Sequence, residues 1–321
     1  MNLKSLLVLL SCCVLFSCGK DDDDDKKPVK KALAFFIEQD NVSRLWYIAA
    51  DGSSFEKVLP DDIGTSMNNP TWSFDGKTIY FIKKGTINGV NGVYAIKPNG
   101  KGYIPIYIDT DTQQRNFYQL TASGDNENVI FSLEIPRTGR KVIEIYKMCP
   151  CGQSVNRLTT FEVPEPGKTI NTEAYAGSFS PDDSLLVFTQ SDPSLTGKKN
   201  VKIYTINVYT KNLVLLKTIS AEDAASCTPN FSPDGKTLLL SIDGFIHTMK
   251  SNGDDLKKLG NQKGFRPMWD INGREFYFSS SNIPNVEPGI YKADINLLRI
   301  EPVIKRSFSG KPGGFAVNPV P

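Results

Sequence analysis

Three observations predict an all-β chain folded as a six-bladed β-propeller of four-stranded blades. A hairpin of one design recurs: PNFSPDGKTLLL at 229–240, PTWSFDGKTIYF at 70–81, SFSPDDSLLVF at 178–188 and PMWDINGREFYF at 267–278. An aliphatic–aromatic strand recurs six times, at Leu45-Trp46, Val93-Tyr94, Ile145-Tyr146, Ile203-Tyr204, Ile246-His247 and Ile290-Tyr291. The C-terminal segment 315–319 can be laid over 70–74, so it supplies a strand that the first unit lacks. Recurrence at a period of a few tens of residues marks a repeat architecture, in which each unit buries its apolar faces against its neighbours.

Each element of a unit follows from local chemistry. In the copy at 229–240, strand A runs to Ser232 and strand B begins at Thr237. Between them Pro233 presets φ near about −65°, Asp234 can hydrogen-bond its own backbone, and Gly235 accepts a positive φ. The turn carboxylates Asp75, Asp182 and Asp234 therefore read as acceptors for backbone N–H groups. Trp72, Phe179, Phe231 and Trp269 precede the turns and read as core, each worth roughly 1.5–3 kcal/mol when buried. Strand C carries the aliphatic–aromatic pair, with Ile48, Ile96, Met148, Ile206, Met249 or Ala293 two residues further on. That period of two is strand alternation. Asp51-Gly52, Asn99-Gly100, Cys151-Gly152 and Asn252-Gly253 then turn the chain into strand D.

Full units are expected near 68–108, 119–161, 174–218, 226–259 and 264–305. The first unit, 32–60, has B (32–36), C (45–49) and D (57–59) but no A, and the C-terminal strand is expected to close it. The third unit has the least regular A–B hairpin, Thr121 to Asp125, without proline or aromatic. Short A–B and C–D turns are expected at one end of the propeller. The long connections 82–92, 109–118, 160–173, 190–200 and 279–289 fall at the other end, the expected functional face.

Composition and the N-terminus give an address. The 321 residues are 40% hydrophobic and 22% charged, ordinary values for a chain with a sizeable core. A formal net charge of +2 gives no electrostatic case for nucleic acid, which wants a strong basic excess. Residues 1–17 read as a signal peptide. Lys4 is its charged start, and Leu6 to Phe16 is an apolar run shorter than the about 20 residues of a membrane-spanning helix. Leu15-Phe16-Ser17-Cys18 resembles a bacterial lipobox, which implies cleavage before Cys18 and lipidation of that cysteine. Asp21 to Asp25 follow, and adjacent carboxylates repel one another and stay solvated. Residues 18–31 thus read as a lipidated acidic tether, ahead of a propeller at 32–321. An acidic run behind a lipidated cysteine resembles the surface-export signal of Bacteroidota-type lipoproteins. The expected location is the outer membrane, lipid-anchored, with exposure at the cell surface. Beyond Cys18 only Cys149, Cys151 and Cys227 remain, an odd number that argues against a disulfide-built fold. Cys149-Pro150-Cys151-Gly152 lacks the second pair a zinc site needs, and reads as a turn carrying two thiols.

The repeats resemble the TolB-type, WD-like β-propeller repeat, whose signature is proline–x–aromatic–Ser-Pro-Asp-Gly-Lys, an apolar B strand and an Ile-Tyr strand. The resemblance spans about 290 residues and implies six blades. TolB itself carries an α/β domain ahead of its propeller, whereas 18–31 precede it here, so TolB itself is not expected.

Catalytic constellations are sparse. The one histidine, His247, stands where other units have Tyr or Trp, and reads as a packing residue. No Gly-x-Ser-x-Gly elbow supplies a nucleophile for a triad. No P-loop or dinucleotide fingerprint appears, Gly89 to Gly92 being a glycine cluster without the lysine or the helix. No cofactor and no metal are therefore expected. Carboxylate pairs are the remaining enzymatic option, because glycosidases work with two: Asp61-Asp62, Asp109/Asp111, Glu162/Glu165 and Glu222-Asp223 all fall in the long-loop regions. Asn69, Tyr118, Tyr175 and Arg266 enter A strands from the long-loop side and are the expected rim of the central channel. A mixed polar and aromatic rim suits a peptide, a glycan or a protein loop. The expected function is a non-catalytic binding or scaffolding module, a monomer held to the membrane by its anchor and engaging an envelope protein or a glycan. The alternative is a carboxylate-based polysaccharide-active enzyme, a glycosidase or lyase.

Overall fold

The computed structural model describes residues 31–39, 42–49, 55–58, 67–85, 91–110, 115–137, 140–161, 172–191, 197–280, 289–303 and 311–318. Cys18, the acidic run and residues 1–17 lie outside them, as does part of each long connection. The described chain is β-structure apart from one short 3-10 turn, Ala225–Cys227. β1 (Lys31–Gln39), β2 (Val42–Ala49) and β3 (Phe55–Lys57) come first. β4 (Met67–Trp72), β5 (Ile79–Lys83), β6 (Gly92–Ile96) and β7 (Ile104–Ile108) form the second unit. The third has β8 (Phe117–Ala122), β9 (Val129–Arg137), β10 (Arg140–Met148) and β11 (Asn156–Arg157). The fourth has β12 (Thr172–Phe179), β13 (Leu185–Ser191), β14 (Lys199–Asn207) and β15 (Leu213–Ala221). The fifth has β16 (Asn230–Phe231), β17 (Thr237–Ile242), β18 (Phe245–Lys250) and β19 (Lys257–Lys263). The sixth has β20 (Phe265–Trp269), β21 (Glu275–Ser280), β22 (Gly289–Asp294) and β23 (Ile300–Pro302). β24 (Lys311–Val317) ends the series.

The architecture is an all-β propeller arrangement of four-stranded sheets, but six separate blades are not what forms. Four sheets have four strands each, and the expected third and fourth units share one eight-stranded sheet. The cause is the shortness of β11. Its two residues cover only Tyr146 and Lys147 of β10, which leaves the other half of that nine-residue strand as a bare edge of N–H and C=O groups. The start of β12 fills the edge in parallel, Val142 facing Thr172 and Ile143 facing Glu173. Beyond β11 the chain is held by Glu144, which is fully buried. Its carboxylate accepts from Arg157 Nη2 at 2.8 Å, from the Phe161 amide at 2.7 Å and from Thr159 Oγ1.

Period-two alternation builds the core. In β5, Ile79 and Phe81 pack with Ala34, Phe36 and Leu45 of the first sheet, while Tyr80 and Ile82 pack with Phe117, Val129 and Phe131 of the third unit. The same relation joins the third unit to the fourth, the fourth to the fifth and the fifth to the sixth. Tyr277 and Ile290 of the sixth in turn pack on Leu33, Phe35 and Phe315. β24 pairs antiparallel with β1, Ala34 facing Ala316 and Phe35 facing Phe315.

Four A–B turns, those at Ser73, Ser123, Ser180 and Ser232, obey one hydrogen-bonding rule. Ser73 Oγ donates to Asp75 Oδ1 (2.6 Å) and accepts from the Thr78 amide (2.9 Å), and Asp75 Oδ1 accepts from the Lys77 amide (3.1 Å). Ser232 and Asp234 repeat this at 2.6, 3.0 and 3.1 Å. The irregular third hairpin has it too, through Ser123 and Asp125. The Cys149–Cys151 turn departs from expectation: its cysteines are joined in a disulfide. The tight turn brings their Cα atoms to 5.2 Å, inside the bridgeable range. Cys227 is free and buried.

Candidate functional site: two ends of a channel

The A strands converge on a narrow channel with two different ends. At the long-loop end Asn69, Gln119, Thr228 and Arg266 line a cavity of about 60 Å³, with Leu120, Met268 and Phe315 deeper in. At the A–B turn end a cavity of about 460 Å³ is lined by Phe74, Phe179, Pro181, Phe231, Pro233, Trp269 and Ile271. Asn230 and Met268 belong to both linings and mark the level between them. Gly177 keeps the polar end tight, because a Cβ there would stand 2.1 Å from the Pro229 carbonyl oxygen.

The four rim residues expected from the sequence separate into two pairs. Arg266 Nη1 donates to Asn69 Oδ1 at 2.7 Å, although 197 residues separate them. Both have positive φ, 51° and 50°, and both precede a proline. Burial lowers the Arg266 pKa from its usual value, with the charge of Asp223 opposing. Tyr118 and Tyr175 instead meet edge to face, ring centres 5.7 Å apart, and their neighbours Gln119 and Ala176 face the cavity. Tyr118 Oη donates to Glu134 Oε2 at 2.9 Å, and Lys141 lies 5.1 Å from the Tyr118 ring centre and 3.3 Å from Glu173. Burial pushes the Tyr175 hydroxyl up strongly, with Glu173 adding to it. Burial works to lower the Lys141 pKa, but Glu173 and Tyr118 outweigh it and the net shift is upward. These groups are mutually satisfied.

Of the expected carboxylate pairs, Asp109 is consumed structurally. It is buried and takes Arg115 Nη2 at 2.6 Å, Nε at 3.0 Å and the amide at 2.8 Å. Asp61, Asp62, Asp111, Glu162 and Glu165 lie outside the described residues. Glu222 and Asp223 are described; the Glu222 amide donates to Asp243 Oδ1 at 2.8 Å, and Asp223 Oδ1 accepts from the Ala225 amide at 3.0 Å. Among the described residues no group of three His, Cys, Asp or Glu side chains could hold a metal ion.

Sequence reasoning missed the apolar cup. Trp72 is core, as expected, its indole donating to the Ala316 carbonyl at 3.3 Å. Phe231 and Trp269 are only partly buried and form the cup wall with Phe179. A signal was present: the residue between Ser or Asp and the turn carboxylate or amide is Phe74, Pro181, Pro233 or Ile271, apolar where a solvated turn would be polar.

Solved structures of similar shape decide the fold. TolB from Acinetobacter baumannii matches over 90% of this chain and 66% of its own, with a TM-score of 0.65 at 17% identity. A second protein, described as TolB of Agrobacterium tumefaciens, covers 86% of this chain and 89% of its own at TM-score 0.60 and 14% identity. The fold is a TolB-type β-propeller. An oligogalacturonate lyase from Vibrio parahaemolyticus shares the TolB-type shape more loosely, at TM-score 0.54 and 13% identity over 82% of this chain and 74% of its own. No protein-family model and no curated protein matches the sequence.

Proposed function

We propose that this TolB-type propeller is a non-catalytic binding or scaffolding module that engages an envelope protein through the apolar cup at its A–B turn end. The cup is the observation that carries the reading. Phe74 and Ile271 are 53% and 42% exposed around a cavity of about 460 Å³, a size and lining that suit inserted apolar side chains. The module is a ring of six units: the eight-stranded sheet counts as two blades, and β24 serves as the A strand of the first. Two contacts support that count. Trp269 Nε1 donates to the Asn230 carbonyl of β16, and Trp72 Nε1 donates to the Ala316 carbonyl of β24, both at 3.3 Å, so β24 stands to β4 as β16 stands to β20.

The reading is tested by photo-crosslinking in intact cells. Benzoylphenylalanine at position 74 is expected to give a discrete adduct with an envelope protein, lost on Ile271→Asp. The same label at Leu298, which is 87% exposed, is expected to give none. Equal adducts from both positions, or none from 74, would reject the cup as the docking site. Turnover of an acidic polysaccharide by the purified chain would replace the binding reading with the lyase one.

The sequence supports placing the module on the outer membrane through Cys18. Cys18→Ala is expected to abolish metabolic fatty-acid labelling, and labelling that survives the substitution removes the anchor.

A further inference from the structure

Among the described residues, Arg266 carries a positive charge whose one hydrogen bond is to a neutral amide, Asn69 Oδ1. No carboxylate among the described residues pairs with it, and Asp223 acts on it through charge without a hydrogen bond. A guanidinium has five N–H donors in a planar fork matched to a carboxylate. Drawn partly out of water, it needs a counter-charge or full hydrogen bonding. The deficit faces a cavity, because Arg266, Asn69 and Gln119 all line the small polar end of the channel. Beside it Gln119 donates through Nε2 to the Ala225 carbonyl, and its Oε1 is an acceptor buried without a donor, which a water entering with the ligand would fill. Both Arg266 and Asn69 hold positive φ, and strained L-residues gather at ligand clamps.

Size narrows the ligand. At about 60 Å³ the cavity holds a few waters at roughly 10–15 Å³ each, far below the roughly 300–1,000 Å³ of a small-molecule site. A carboxylate on a thin stem fits; a sugar ring does not. We infer that Arg266, braced by Asn69 and lined by Gln119, is a receptor for the carboxylate of an acidic side chain that a protein partner inserts from the long-loop end. The site is opposite the apolar cup and stands independently of it.

The test uses the purified chain with sodium acetate as probe, acetamide as its neutral analogue and sodium chloride at matched ionic strength. Acetate is expected to shift the Arg266 Nε–H resonance saturably and to raise the melting temperature, as any ligand of the folded state does, while acetamide and chloride do neither. In Arg266→Gln the acetate affinity is expected to fall by about tenfold or more, the factor for losing a charge-assisted hydrogen-bond pair, and Arg266→Lys is expected to fall between the two. If Arg266→Gln does not fold, the resonance titration of the unsubstituted chain decides alone. No saturable shift, an equal response to chloride, or an unchanged acetate response in Arg266→Gln overturns the site. A blocked Gly-Asp-Gly peptide is expected to bind more tightly than galacturonate, and the reverse order overturns the protein assignment. Acetate binding that survives Phe74→Ser separates a failure of the cup from a failure of this site.

Discussion

His247 shows how a packing position acquires a pH dependence. It lies in β18 opposite Leu240, half-buried, with Nδ1 2.8 Å from the Phe245 carbonyl oxygen. Burial depresses its pKa below the ordinary 6.5, and the Phe245 carbonyl opposes the shift. The unfolded chain therefore binds the proton more readily than the folded one. The imidazole's contribution is full above about pH 6.5 and falls as pH drops through that value. Melting temperatures at about pH 8 and about pH 5 are expected to show a larger acid loss for the native chain than for His247→Phe; equal losses would refute it. Its place on the strand was legible from the aligned repeats, whereas the carbonyl partner depends on ring orientation. Arg266 is similar: its place on the rim follows from the A-strand alignment, but its partner lies 197 residues away, beyond any local pattern.

The hairpin was the most legible element. Its rule is local, since Ser232 and Asp234 satisfy donors within five residues of themselves, and a rule of that range is written in the residues that obey it. Ser123 and Asp125 show that the serine–carboxylate pair matters more than the proline or the aromatic, which this hairpin lacks. Two element-level features were illegible for opposite reasons. The fusion of β10 to β12 arises from a strand two residues long, a length set by the Glu144 contacts rather than by alternation. The disulfide depends on side-chain direction in a turn, and spacing of cysteines does not specify direction. The apolar cup was half legible: its wall residues were singled out, but as core, because periodicity does not tell a buried neighbour from an empty channel mouth.

At the scale of the whole molecule, each apolar cluster among the described residues joins at least two units, and the cluster holding Phe315 joins the sixth to the first. Phe315 and Ala316 are 4% and 2% exposed, so β24 is packed as a core strand. Truncation after Gly310 removes both, bares the edge of β1, and takes away Phe315 burial alone worth about 1.5–3 kcal/mol. The truncated chain is expected to be insoluble, or to melt several degrees lower, at roughly 4 °C or less per kcal/mol for a domain of this size. Deletion of 18–28 is expected to leave the melting temperature unchanged. A truncated chain that melts like the full one would reject the proposed closure by β24.

The parallel step from β10 to β12 has a mechanical consequence. Two units woven into one sheet share a backbone fabric, whereas the remaining units meet at their side-chain faces. Local opening follows the boundaries of cooperative units, so the third and fourth units are expected to open together, with the seams between the separate sheets opening first. A load carried across the propeller is therefore expected to be unevenly shared, the side-chain seams yielding before the β10–β12 join.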